Sequence, residues 1–155
     1  MKKVMFISSA GGHLTELMQL KSLLKKYSYS IVTEKTESTL YLNEYYSNVF
    51  YLTHISRKPR LMFIYKFIVN IIKSIFIYIK AKPDVIVTTG ANAVVPICYI
   101  GKLFGKKIVY IESFARVKSL SLTGRIMNNI SDVFCVQHEE MLDIVKKSQY
   151  EGSLF

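Results

Sequence analysis

Val4-Met5-Phe6-Ile7-Ser8-Ser9-Ala10-Gly11-Gly12-His13 begins as an unbroken apolar run, closes in small residues and glycines, and leads into a helical pattern. A buried strand that ends this way and feeds a helix leaves free backbone N–H groups pointing at one place. Glycines let an anion approach them, and the helix dipole favours negative charge there. His13, at the mouth of the turn, adds a side chain whose ordinary pKa lies near neutrality. The stretch lacks the full G-x-G-x-x-G of dinucleotide folds, which disfavours a nicotinamide cofactor.

The rest of the chain repeats the same alternation. Strands are expected at Lys3–Ser9, Tyr29–Thr33, Val49–Ile55, Asp84–Thr89, Lys107–Glu112 and Asp132–Gln137. Helices are expected at His13–Lys26, Glu37–Tyr46, Leu61–Lys80, Ala93–Phe104, Leu122–Asn129 and Glu139–Lys147. Several strands are continuously apolar, as in a parallel sheet covered on both faces. The alternation implies right-handed crossovers and a doubly wound α/β sheet, whose ligands sit beyond the carboxyl ends of the strands. That rule brings three loops to one edge: Ser8–His13, Thr89–Pro96 and Glu112–Lys118.

At 155 residues, half of them hydrophobic, the chain is expected to form one domain spanning residues 1–155 with a real core. The net charge of +10, from 21 Lys and Arg against 11 Asp and Glu, points to an anionic partner. Cys98 and Cys135 lie in apolar runs without metal spacing and read as buried thiols in a reducing compartment. Only two lysines precede the apolar run Val4–Ile7, so no signal peptide is expected. No Asp-x-Asp pair or His/Cys/Asp cluster suggests a metal, and no cofactor is expected.

Residues 57–82 carry seven basic side chains (Arg57, Lys58, Arg60, Lys66, Lys73, Lys80 and Lys82) and no acidic one, around an almost entirely apolar Leu61–Ile79. Roughly a dozen large apolar residues at about −0.5 kcal/mol each nearly cancel two central lysines at about +3 kcal/mol each, so hydropathy alone is indecisive. A bilayer span would put the third and fourth strands of one sheet on opposite sides of a membrane, which argues against it. Lys66, Asn70, Lys73, Ser74 and Lys80 share one helical stripe. Two arrangements remain. In one, the helix packs on the sheet with that stripe in water. In the other, which the wide apolar arc and the cation density favour, Phe63, Phe67, Ile71 and Ile75 face lipid. The basic flanks then meet anionic headgroups. Nucleic acid is disfavoured, because the cations surround one greasy helix instead of interleaving with exposed aromatics.

With these loops placed, the sequence resembles the bacterial capsule and exopolysaccharide proteins of the PssD/CpsF type. Those are related to the membrane-recruiting subunit of the eukaryotic UDP-GlcNAc:dolichyl-diphosphate-GlcNAc transferase. The matching motifs are Ser9-Ala10-Gly11-Gly12-His13, Thr89-Gly90-Ala91 with Pro96, Tyr110-Ile111-Glu112-Ser113 with Arg116, Leu120-Ser121-Leu122-Thr123-Gly124-Arg125, Val136-Gln137 and Gly152-Ser153-Leu154-Phe155. The resemblance implies a Rossmann-like domain equivalent to the N-terminal half of a MurG-like GT-B glycosyltransferase. It also implies a separate PssE/CpsG-type companion that binds the UDP-sugar. The implied acceptor is a lipid-diphosphate-linked saccharide, on an undecaprenyl carrier at the cytoplasmic face of the plasma membrane, where the chain is peripheral. Two departures stand out. The second loop is poorer in glycine than in MurG-like enzymes, and His138 stands where relatives often carry tryptophan.

Inverting transfer from a UDP donor needs a base for the acceptor hydroxyl, positive potential for the acceptor diphosphate and stabilisation of the leaving group. His13 is the leading base candidate; a phosphate-binding or capping role is also open to it. Glu112, ending a buried strand, is a second candidate; it also fits as a hydrogen-bonding partner of a sugar or as the ion partner of Arg116. Gly11, Gly12 and Arg116 are candidates for holding the diphosphate, and Thr89, Gly90, Asn92 and Ser113 for shaping the acceptor pocket. The rival reading is a non-catalytic membrane recruiter that activates its companion.

Overall fold

The computed structural model describes residues 1–56 and 59–154; Arg57, Lys58 and Phe155 lie outside the described residues. Seven strands form one sheet: β1 Lys3–Ser8, β2 Ser28–Lys35, β3 Val49–Thr53, β4 Val85–Gly90, β5 Lys107–Ile111, β6 Val133–Val136 and β7 Ser148–Tyr150. Their spatial order is β3-β2-β1-β4-β5-β6-β7, and every pairing is parallel. Six of the seven match the expected strands to within two residues at each end.

Alternation along β1 explains the two layers. Met5 and Ile7 belong to a core shared with α4 (Arg60–Ala81), α5 (Val95–Leu103) and α6 (Leu122–Ile130). Val4 and Phe6 point the other way, to a core shared with α1 (Gly12–Met18), α2 (Lys21–Leu24) and α3 (Leu42–Tyr45). All four are buried, as a central strand covered on both faces requires. Cys98 packs in the first core, where burial pushes its thiol up to about 12 and makes it an inert packing group.

The expected helices are less continuous than their periodicity suggests. His13–Lys26 divides into α1 and α2, and Glu37–Tyr46 into a 3₁₀ turn at Glu37–Thr39 followed by α3. Glu139–Lys147 holds only a 3₁₀ turn, Glu139–Met141. So short a segment has little intrinsic helix stability. What fixes it is burial of Met141 and Val145 and the docking of Ser148–Tyr150 beside β6 as the edge strand β7. Ser-Gln-Tyr carries no apolar run that would have announced a strand.

The helix α4 has its polar stripe turned inward. Asn70 and Ser74 are wholly buried. Asn70 lies against β3, an edge strand whose outer backbone groups have no neighbouring strand. The Asn70 amide supplies the missing ladder: Thr53 N–H donates to Oδ1 at 2.7 Å, and Nδ2 donates to Thr53 O at 2.8 Å. Lys73 Nζ donates to Thr53 Oγ1 at 2.9 Å. Of the Lys66, Asn70, Lys73, Ser74 and Lys80 stripe expected in water, Asn70 and Lys73 are thus turned to the sheet edge and Ser74 is buried, whereas Lys80 is exposed. The opposite ridge, Leu61, Tyr65, Ile68, Ile72, Phe76 and Ile79, is exposed along the helix, from 51% at Ile72 to 83% at Leu61.

Candidate functional site at the strand switch point

The chain runs from β1 outward to β2 and β3, then returns to β4 and proceeds the other way, so the crevice opens between β1 and β4. The turn after β1 and the end of β4 are bonded to each other: Ser9 N–H donates to Gly90 O at 2.9 Å. Gly11 and Gly90 have φ of +80° and +95°, the left-handed region that glycine tolerates. The His13 ring lies in van der Waals contact with Gly90, 3.6 Å from the position a Cβ there would take.

Thr89 holds His13 at both ends. Its hydroxyl donates to His13 O at 2.7 Å, and its carbonyl lies 2.8 Å from His13 Nδ1. A carbonyl only accepts, so Nδ1 carries the proton and Nε2 is the basic nitrogen of the neutral ring. His13 lines a pocket of about 260 Å³ with Ala91, Ser113, Arg116, Ser121 and Thr123. All three expected loops meet there.

The 112–121 loop is fixed by two buried carboxylates. Glu112, 1% exposed, accepts at Oε1 from Tyr110 Oη (3.1 Å), Ser113 N–H (3.0 Å) and Ser121 Oγ (2.9 Å), and at Oε2 from Ser121 N–H (3.1 Å). Burial, with the neighbouring Glu112 charge adding to it, pushes the Tyr110 hydroxyl above its ordinary value and keeps it a donor. Gly124 packs on this carboxylate so closely that a Cβ there would fall on Oε2. Both Glu112 oxygens accept hydrogen bonds inside the protein, and the expected Glu112–Arg116 ion pair does not form among the described residues.

Glu16, which the sequence reading passed over, is the second carboxylate. Its Oε1 accepts from Ser113 Oγ at 2.9 Å and Phe114 N–H at 3.0 Å. Its one signal was an acid set between Leu14 and Leu17 on the helix that follows the glycine turn. Gln137 joins the set, with Nε2 donating to Glu112 O at 3.0 Å and Oε1 accepting from Leu154 N–H at 2.9 Å. At the departure from tryptophan, His138 Nε2 lies 2.6 Å from Phe114 O, with the two rings 4.7 Å apart.

Glu34 braces the other side. Its carboxylate accepts from Ala10 N–H at 3.2 Å and Ile55 N–H at 2.8 Å, and lies 3.4 Å from His54 Nδ1. The glycine turn is thus tied to the segment that leads into α4. Of the expected lipid-facing residues on that helix, Ile71 and Ile75 are exposed, whereas Phe63, Phe67 and Lys66 are half-buried on its flank. Arg60 is exposed, Lys73 is held on β3, and Arg57 and Lys58 lie outside the described residues. Asn92 meets Thr123 Oγ1 at 3.5 Å, at the border of the pocket.

Residues 4–154 match the family described as "Oligosaccharide biosynthesis protein Alg14 like". The chain is 30% identical over 179 residues to the mouse UDP-N-acetylglucosamine transferase subunit ALG14, covering 98% of this chain and 82% of that one. Its fold matches Acinetobacter baumannii MurG with a TM-score of 0.72 at 15% identity, over 90% of this chain and 43% of that one. It also matches the UDP-N-acetylglucosamine 2-epimerase of Rickettsia bellii with a TM-score of 0.75 at 18% identity, over 99% of this chain and 45% of that one. At these identities the two structures show a shared fold, and the chain spans less than half of each. The Rossmann-like sheet and the match along almost the whole sequence make this chain a member of the Alg14-like family of oligosaccharide biosynthesis proteins.

Proposed function

We propose that the chain is the acceptor- and membrane-binding subunit of a two-chain inverting glycosyltransferase of the PssD/CpsF type, acting in capsule or exopolysaccharide assembly. The observation that carries this reading is the pocket at the switch point. There His13, its Nδ1 held on the Thr89 carbonyl, shares one cleft with Arg116, Ser113 and Ser121. A companion of PssE/CpsG type supplies the UDP-sugar. The acceptor is a lipid-diphosphate-linked saccharide, and the chain sits peripherally on the cytoplasmic face of the plasma membrane through the outward ridge of α4. The single domain, residues 1–155, carries both roles.

In the reaction, His13 Nε2 takes the proton from the acceptor hydroxyl as its oxygen bonds to the anomeric carbon. The carbon–oxygen bond to UDP breaks on the opposite face, and its electron pair leaves with UDP. The uncapped first turn of α1 at Gly11 and Gly12, together with Arg116, holds the acceptor diphosphate. Thr89, Gly90, Asn92 and Ser113 shape the pocket around it. Glu112 is a positioning residue that fixes the 112–121 loop.

The exposed ridge of α4 is equally what a recruiter that performs no chemistry would need. Transfer by the reconstituted pair separates the two. His13→Ala is expected to lower turnover by about 10²–10⁴-fold, the usual worth of a general base, while vesicle attachment stays unchanged. Near-normal turnover in that variant selects the recruiter.

A further inference from the structure

Ser113 and Ser121 line the His13 pocket from the two ends of the 112–121 loop, and each hydroxyl is turned inward onto a buried carboxylate. Ser113 Oγ donates to Glu16 Oε1 at 2.9 Å, and Ser121 Oγ donates to Glu112 Oε1 at 2.9 Å. A hydroxyl has one proton and a carboxylate only accepts, so both serine protons are committed inside the protein. Ser121 Oγ also accepts from Gly124 N–H at 2.8 Å, and Ser113 Oγ from Ala115 N–H at 3.4 Å. Each oxygen then has one lone pair left for the cavity. His13 follows the same rule, because its Nδ1 proton on Thr89 O leaves Nε2 as an acceptor. The wall therefore presents acceptors, and Arg116 is the one lining side chain that only donates.

That polarity sorts the two halves of a phosphorylated sugar. Phosphate oxygens accept, so the serine wall offers them nothing and they fall to Arg116 and the glycine turn. Sugar hydroxyls donate, and they fit the serine wall. We propose that Ser113 is a specificity-determining residue for the acceptor sugar, its Oγ accepting from one ring hydroxyl, and that Glu16 is the positioning residue that fixes this polarity. Glu16 is 5% exposed, one turn after His13 on α1, and its Oε1 also accepts from Phe114 N–H at 3.0 Å. Its Oε2 is buried without a partner, so Oε1 alone carries both bonds. One carboxylate thus ties the helix that carries His13 to the sugar wall. A hydrogen bond to a carboxylate polarises the serine hydroxyl, which makes its oxygen a stronger acceptor. Without that bond the hydroxyl could turn and donate to phosphate, and the distinction would be lost. The inference deepens the acceptor-binding reading above and rests on it.

NMR titration of the purified full chain tests it, with inorganic phosphate and with the 1-phosphates of glucose, galactose and N-acetylglucosamine. Each sugar phosphate is also used with fluorine replacing one ring hydroxyl at a time, which keeps the size of the group and removes the donor. In wild type, fluorine at one ring position is expected to weaken binding about five- to tenfold, the worth of one hydrogen bond. In Ser113→Ala and in Glu16→Ala that penalty is expected to fall below about twofold, as a coupled pair requires. Glu16→Gln, whose amide oxygen still accepts from Ser113 Oγ, is expected to keep it. Every ratio is taken within one variant, so a general loss of affinity cancels. Ser113 is half-buried and its alanine variant removes a single oxygen, so it carries the test even where Glu16→Ala fails to fold. A penalty that persists in Ser113→Ala overturns the proposal, and one that persists in folded Glu16→Ala overturns the role given to Glu16. Binding of the sugar phosphates with no fluorine-sensitive position overturns the proposal alone. Failure of inorganic phosphate and of every sugar phosphate to bind overturns the acceptor site with it.

Discussion

Around Glu112 the protein buries charge, and along α4 it exposes isoleucine; both depart from the ordinary partition of polar and apolar groups. At the sheet end the inversion is compensated internally. Glu112, Glu16 and Glu34 are each buried and accept hydrogen bonds from backbone or side-chain groups of the loops around them, Glu16 through Oε1 alone. Along α4 no such compensation exists within the described residues: the ridge from Leu61 to Ile79 stands open while Asn70 and Lys73 are engaged on β3. An inversion satisfied inside the chain is architecture. One left unsatisfied needs something outside the chain, and a continuous apolar helix flanked by cations fits a lipid surface.

The sharpest way to break this contrast is to put charge on the ridge. Ile68→Asp, Ile72→Asp and Phe76→Asp together are expected to reduce partition onto anionic vesicles by about 100-fold or more, given about 1–2 kcal/mol of apolar burial per side chain. Flotation measures it. Thermal unfolding of the same variant is expected to stay near wild type, since exposed positions away from packing usually change stability by no more than about 0.5 kcal/mol. A large drop in stability would mean that the ridge packs inward.

The opposite outcome is expected at the sheet end. Glu112→Ala strands the donors of Tyr110, Ser113 and Ser121, and is expected to cost about 2–4 kcal/mol in denaturant unfolding with vesicle attachment intact. A variant as stable as wild type would remove Glu112 from the architecture. The smallest effect belongs to Asn70→Ala, which uncovers the Thr53 backbone pair and is expected to cost about 1–3 kcal/mol. A neutral result would show that water replaces the amide at that edge.

The apolar run Val4–Ile7 closing on glycines was legible as the switch-point strand, because burial on both faces and a small-residue turn each leave a direct mark in the residues. The convergence of the Ser8–His13, Thr89–Pro96 and Glu112–Lys118 loops followed from strand alternation alone. The role of Asn70 is not legible for a specific reason: helical spacing shows which residues share a face, and nothing in it shows that the facing strand is an edge with free backbone groups. Glu112 was recognised as important, but its role depends on donors from Ser121 and Tyr110 that only the folded loop brings within reach. Ser148–Tyr150 became a strand through a neighbour's unpaired backbone, which three residues of sequence do not display.

The central claim, that the α4 ridge meets lipid, is open to one direct measurement because the chain has no tryptophan. A single tryptophan at Phe76, 68% exposed on the ridge, is compared with one at Tyr45, 73% exposed on α3 across the sheet. Anionic vesicles containing brominated lipid are expected to quench Phe76→Trp strongly and shift its emission to the blue, while Tyr45→Trp stays unquenched. Equal quenching at the two positions, or none at Phe76→Trp, would contradict the account.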